Sequence, residues 1–111
     1  MNIECTEKNG NLIVKVRGEI DHHTASNIRT VIEKEYSSTR AKNIVFDFLK
    51  TSFMDSSGIG VIIGRYKELK TFGGKVFAIN IPPEINRIFT ISGLRKIIHC
   101  IETIEEVQNQ G

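Results

Sequence analysis

Cysteine is scarce in this chain, and the two that it has, Cys5 and Cys100, lie far apart with no C-x-x-C spacing. That excludes a disulfide framework and argues against zinc and thiol-redox motifs; it fits a reducing compartment, with a meeting of two buried thiols left open. Long apolar runs are missing as well. Clusters such as Ile59-Gly60-Val61-Ile62-Ile63 fall far short of the roughly 20 residues that a membrane span needs. Charge of one sign is also lacking: 15 basic and 13 acidic residues are interspersed and leave a net +2, so no nucleic-acid footprint is expected. The opening Met1-Asn2-Ile3-Glu4-Cys5 carries an acid where a secretory leader needs a basic and then an apolar stretch, so a cytoplasmic location is expected. No repeat, low-complexity tract or Pro/Gly/Ser-rich linker divides the chain, which predicts one domain over residues 1–111.

What is present is a regular alternation of periods. Asn2 to Thr6 and Leu12 to Arg17 read as strands joined at Lys8-Asn9-Gly10-Asn11, where Asn-Gly is a strong hairpin signal because both residues tolerate positive φ. From Thr24, a plausible N-cap, the period becomes helical, with Ala25, Ile28, Val31, Ile32 and Tyr36 on one stripe. Asn43 to Phe48 is dense in β-branched and aromatic residues, as expected of a central strand covered on both faces. Helical spacing returns at Ile59, Ile62, Ile63, Tyr66 and Leu69, with Arg65, Lys67, Glu68 and Lys70 on the wet side, until Gly73-Gly74. Lys75 to Ile79 is a further strand. Pro82-Pro83 opens a helix that Gly93 ends, and Ile97 to Ile101 is the last strand. Thr103-x-x-Glu106 has the pattern of a capping box for a short final helix. The order predicts an α/β fold: a mostly parallel central sheet with an N-terminal hairpin and about four packed helices.

In such sheets function collects where strands end and helices begin, and two such junctions carry unusual polar residues: Asp21-His22-His23-Thr24 and Asp55-Ser56-Ser57-Gly58. The second, continuing through Ile59-Gly60, has the residue types of an anion-accepting helix start, and equally those of a plain N-cap. Gly58 weighs toward a functional loop, because glycine in a first helical turn costs about 1 kcal/mol against alanine and implies that something approaches the backbone closely. Enzymatic motifs are missing: there is no G-x-x-x-x-G-K-[ST] and no G-x-S-x-G. A small serine-dependent hydrolase built on Ser56, His23 and Asp21 needs a base and an orienter two residues apart on one turn to point along one line, which is unfavourable. His22 and His23 make a poor metal site, since adjacent side chains diverge and no second ligand cluster exists; no metal and no cofactor is expected. Asp47, between Phe46 and Phe48, must be paired or reach the surface.

Taken together, Gly18-Glu19-Ile20-Asp21-His22-His23-Thr24-Ala25, Phe53-Met54-Asp55-Ser56-Ser57-Gly58-Ile59-Gly60-Val61-Ile62, Gly64-Arg65-Tyr66-Lys67 and Ile91-Ser92-Gly93-Leu94 closely resemble the STAS domain family, in its branch of sporulation anti-sigma factor antagonists. The resemblance covers nearly the whole chain and implies the STAS fold and a switch protein with no catalytic residues of its own. It implies that the unmodified protein binds a dimeric, ATP- or ADP-bound anti-sigma F factor that is also a serine kinase, so that sigma factor F is released. The kinase then phosphorylates Ser56, and a PP2C-type phosphatase reverses the step. Asp21 and Thr24 are implied as partner-binding residues, along with Asp55, Ser56, Ser57, Gly58, Ile59 and Gly60. A monomer is expected when free, with no direct contact to nucleic acid or membrane. Residue chemistry alone leaves Ser56 and Ser57 as rival acceptors. A general-stress antagonist using the same serine switch is the alternative within the family.

Overall fold

The computed structural model describes residues 2–109. The Asn-Gly signal does what its chemistry requires. Asn9 and Gly10 both take positive φ, 53° and 81°, and close a two-residue hairpin between β1 (Ile3–Lys8) and β2 (Asn11–Val16). β1 is antiparallel to β2; β4 (Asn43–Asp47), β6 (Val76–Ile79) and β7 (His99–Cys100) then add in parallel, giving the order β1-β2-β4-β6-β7.

Alternation along the strands divides the core. Leu12, Val14, Val16, Ile44, Phe46, Val76 and Ala78 face α1 (Ala25–Ser37), α2 (Ser56–Lys70) and α3 (Pro83–Ser92), which all pack on that side. Their contributions are Ile28 and Ile32, then Ile59, Ile62 and Leu69, then Ile85 and Phe89. The opposite face holds a smaller cluster of Ile13, Val45, Phe77 and Ile79 under Val107 of α4 (Glu105–Asn109). β4 is therefore buried on both faces, as its composition predicts.

Three features differ from the sequence expectation. Gly18–Ile20 (β3) and Thr51–Met54 (β5) form a separate parallel pair outside the main sheet. At three and four residues they are too short to show a period. The last strand is two residues long, because Leu94–Lys96 coil into a 3₁₀ turn after Gly93, whose φ of 77° ends α3. The capping box of α4 does not form: Glu106 N–H donates to the Thr103 carbonyl, and the Thr103 hydroxyl bonds nothing among the described residues. The sheet order also settles the thiols. Cys5 on β1 and Cys100 on β7 sit on opposite edges, four strand spacings or about 19 Å apart, well beyond the roughly 7 Å limit of a disulfide. Among the described residues, no helix is long and apolar enough to cross a membrane.

Candidate functional site

β3 and β5 run side by side in the same direction, with Ile20 opposite Met54, so the residues that follow, Asp21 and Asp55, leave the pair at the same end. Asp55 N–H donates to the Ile20 carbonyl at 3.3 Å and ties the two junctions together. Each carboxylate then caps its own helix. Asp55 Oδ1 accepts from Ser57 N–H at 2.8 Å, while its carbonyl takes Gly58 N–H and Ile59 N–H. This leaves only Ser56 N–H without a partner at the start of α2, so the anion-cradling loop suggested by the sequence is not there: its donors are spent on Asp55.

The first junction also departs from expectation. Thr24 adopts helical φ and ψ, −106° and −22°, so its hydroxyl points back and caps no helical N–H. It donates to the Glu19 carbonyl at 2.9 Å and accepts from Asp21 N–H at 3.0 Å. Asp21 does the capping: Oδ1 accepts from His23 N–H at 2.9 Å and Thr24 N–H at 3.2 Å, and its carbonyl takes Ala25 N–H. The pair is a reciprocal cap with aspartate in front and threonine three residues on. Desolvation, the largest single influence, pushes the Asp21 carboxyl upward, but the hydrogen bonds from His23 and Thr24 N–H, the nearby His23 and the Thr24 hydroxyl together outweigh it and hold the pKa below the ordinary carboxylate value.

Gly58 is explained by the fold itself. A Cβ there would lie 2.5 Å from Met54 Cγ and 3.0 Å from the Ile20 carbonyl oxygen, so what approaches the backbone is the β3–β5 pair and not a ligand. Gly60 is the opposite case. It is exposed, and a Cβ would meet no atom within 4 Å. It lies on a cleft of about 310 Å³ between the helices, formed by His22, Ala25, Ser26 and Arg29 on one side and Ser57 and Gly60 on the other. Ser56 is exposed and Ser57 half-buried, and neither hydroxyl has a hydrogen-bond partner among the described residues. Ile59, expected at the partner surface, is only 8% exposed and packs into the core, where it holds α2 down.

No catalytic relay is assembled. Asp21 bonds the backbone N–H of His23 and not its ring, so Ser56, His23 and Asp21 share no side-chain hydrogen-bond chain. The His22 and His23 rings do not diverge but lie 3.9 Å apart at 39°, and no cluster suited to a metal occurs among the described residues. Arg65 is a further correction. It is only 5% exposed, with Nη1 3.0 Å from Glu33 Oε2 of α1 and 3.6 Å from Glu68 Oε1, so it clamps α1 to α2 instead of facing water. The contact is electrostatic without hydrogen-bond geometry, since Nε and Nη1 have no hydrogen-bond partner. Asp47, 8% exposed, is held by Leu49 N–H and the Asn80 amide, both at 3.0 Å.

A twin helix-capped junction on a mostly parallel sheet, with a serine displayed beside it, is the arrangement of a STAS domain. The STAS domain signature matches residues 2–107, and the chain belongs to that family. An anti-sigma F factor antagonist of Paenibacillus polymyxa is 38% identical over 98 residues, 88% of this chain and 84% of the relative. An anti-sigma-B factor antagonist of Staphylococcus aureus (strain NCTC 8325 / PS 47) is 30% identical over 105 residues, 95% of this chain and 96% of the relative. The anti-sigma factor antagonist SpoIIAA in its unphosphorylated form superposes with a TM-score of 0.81 at 29% identity, covering 97% of this chain and 94% of its own. Its phosphorylated form, from Bacillus, gives 0.72 at the same identity over 97% of each chain. These relatives are regulatory proteins rather than enzymes.

Proposed function

We propose that this protein is an anti-sigma factor antagonist of the cytoplasm, docking through the β3–α1 turn and the start of α2 onto an anti-sigma F factor that is also a serine kinase. Docking releases sigma factor F. The single observation that carries the reading is the placement of Ser56: exposed, unbonded and at the first position of a helix whose preceding residue is tied to the turn that carries Asp21. The identity with the Paenibacillus relative and the existence of SpoIIAA in two phosphorylation states support it.

The switch follows from charge. Ser56 Oγ attacks the γ-phosphorus of the kinase's ATP, loses its proton, and ADP leaves with the broken bond's electrons. Phosphoserine adds about −1.5 to −2 charges near neutral pH. The fold tolerates it, because a helix N-terminus favours an anion by about 0.3–1 kcal/mol, which offsets part of the repulsion from Asp55. A partner surface fitted to a neutral hydroxyl does not, since an unmatched charge in a docked interface costs several kcal/mol and each ~1.4 kcal/mol is tenfold in affinity. Phosphorylation therefore acts by direct interference without refolding, and a PP2C-type phosphatase resets it. Ser56 is favoured over Ser57 because the latter is half-buried against the α1–α2 cleft and its N–H is held by Asp55.

Incubating the chain with the anti-sigma F kinase and ATP, then reading mass and complex formation, tests this. One phosphate on Ser56 and loss of the complex are expected. Phosphate on a Ser56→Ala chain, or full affinity of the phosphoprotein, refutes it. The Staphylococcus relative supports a second reading, in which the partner is an anti-sigma-B factor. Parallel pull-downs with both kinases separate the two.

A further inference from the structure

α1 and α2 begin at the two tied junctions and are still in contact at Glu33 and Arg65, so they run side by side in the same direction. Between their first turns lies the cleft of about 310 Å³ that His22, Ala25, Ser26 and Arg29 share with Ser57 and Gly60. Ser56 stands at its mouth. Gly60, four residues on and so on the same face of α2, belongs to the cleft floor and leaves open space where a side chain would be. Across the cleft Arg29 leans toward the Ser56 end, because helical side chains tilt back over the turn N-terminal to their own Cα.

Arg29 has no carboxylate of its own. Glu33, one turn further along α1 and the natural partner at that spacing, is taken by Arg65 at 3.0 Å, and Arg29 has no ion pair among the described residues. In the unmodified chain Arg29 is exposed and water serves it. Phosphate on Ser56 changes the balance. The dianion arrives beside the tied Asp21 and Asp55 junctions, and the start of α2 has little to offer it: Ser57, Gly58 and Ile59 N–H are all bonded to Asp55, which leaves the N–H of Ser56 alone. The remaining demand is met from outside α2, and the basic side chains that line the cleft are Arg29 and His22.

We propose that Arg29 is the intramolecular phosphate-binding residue of the phosphorylated chain: its guanidinium crosses the α1–α2 cleft to the phosphate on Ser56, with the His22 imidazole as a second donor. This rests on the assignment of Ser56 as the phosphorylated serine. It adds a steric element to the charge effect, since phosphate and guanidinium together fill the cleft on which the partner docks.

The full chain carrying phosphoserine at position 56, installed during translation so that no kinase is involved, tests the proposal. Phosphorus NMR at constant ionic strength follows the second ionisation of the phosphate, which lies at about pH 6 in an unperturbed phosphoserine. Arg29→Gln is expected to raise that midpoint by about 0.5 pH unit or more, because a guanidinium in contact favours the dianion, and Arg29→Lys to restore part of the difference. Arg40→Gln, the same charge change at an exposed position beyond the far end of α1, is expected to move it by less than about 0.1 pH unit. The other ionisable groups around the phosphate, Asp21, Asp55, His22 and His23, are identical in all four chains and cancel in the comparison. The Arg29 Nε–H signal of the isotope-labelled chain is expected to move as the phosphate titrates. An unchanged midpoint in Arg29→Gln, an equal rise in Arg40→Gln, or an Arg29 signal indifferent to the phosphate overturns the proposal. Such a result leaves the kinase reading untouched, whereas a kinase that fails to modify Ser56 overturns that reading without altering these titrations.

Discussion

Gly60→Ala isolates the docking surface from the fold. In the interior of α2, glycine costs about 1 kcal/mol relative to alanine, and no atom lies within 4 Å of the added Cβ, so the free protein gains that stability without a clash. For a chain of this size the gain corresponds to about 4 °C in Tm. Docking moves the other way. The methyl group rises from the cleft floor between Ser57 and Arg29, where a flush partner must give way, and overpacking of that kind costs about 1–3 kcal/mol. Affinity for the anti-sigma partner is then expected to fall about 5- to 150-fold. Gly58→Ala, two residues away, serves as the control. Its Cβ drives into Met54 and the Ile20 carbonyl, so it destabilises the free chain by about 1–3 kcal/mol. Thermal unfolding and calorimetric titration with the purified kinase read both variants. A Gly60→Ala chain that melts higher and binds unchanged refutes the assignment of the cleft to docking, and one that melts lower refutes the account of its glycine.

Three further outcomes are expected. Asp21→Ala removes the acceptor for His23 and Thr24 N–H and lowers Tm, whereas Asp21→Asn keeps an acceptor and loses only the charge; a docking defect with normal melting in the asparagine variant marks the charge as the partner contact. Arg65→Met keeps the apolar stem packed between α1 and α2 and is expected to stay within about 1 kcal/mol of the native chain, while Arg65→Ala leaves a void and loses about 2 kcal/mol or more in denaturant melts. Burial first, then the negative charges of Glu35 and Glu4, push the Cys5 thiol up to about 11. Its alkylation near neutral pH is expected to run about 100-fold slower than that of a free thiol. Because the unfolded thiol ionises near 9.0 and the folded one near 11, stability declines across that alkaline window; Cys100 and Tyr36, also pushed up by burial, add to it, so a Cys5→Ala chain is expected to show a shallower decline.

The main sheet and its helices were legible because their signals are long or chemically sharp. Ile28 and Ile32, or Ile59, Ile62 and Leu69, recur at helical spacing, and Asn9-Gly10 and Gly93 adopt the positive φ that their residue types favour. The β3–β5 pair was not legible, since three or four residues contain no period, and its existence is what explains Gly58. Arg65 looked like a wet-side residue because spacing marks which residues share a stripe but not whether a second helix closes over it; Glu33, 32 positions earlier, supplies the reason and no local pattern predicts it. At the site, the residues that carry the family resemblance were evident, but their division of labour was not. Asp21 takes the capping role that the sequence assigns to Thr24, because the decisive variable is the backbone conformation of Thr24.

The small β3–β5 ribbon makes the loops that carry Asp21 and Asp55 mechanically one part. With Ile20 locked beside Met54, any sliding of one strand by a single residue would move Asp21 past Asp55 by about 3.3 Å, enough to spoil a fit to a rigid partner. The loops are therefore best transplanted or redesigned as a cassette, residues 18–25 together with 51–60, and a graft of either half alone is expected to arrive misaligned.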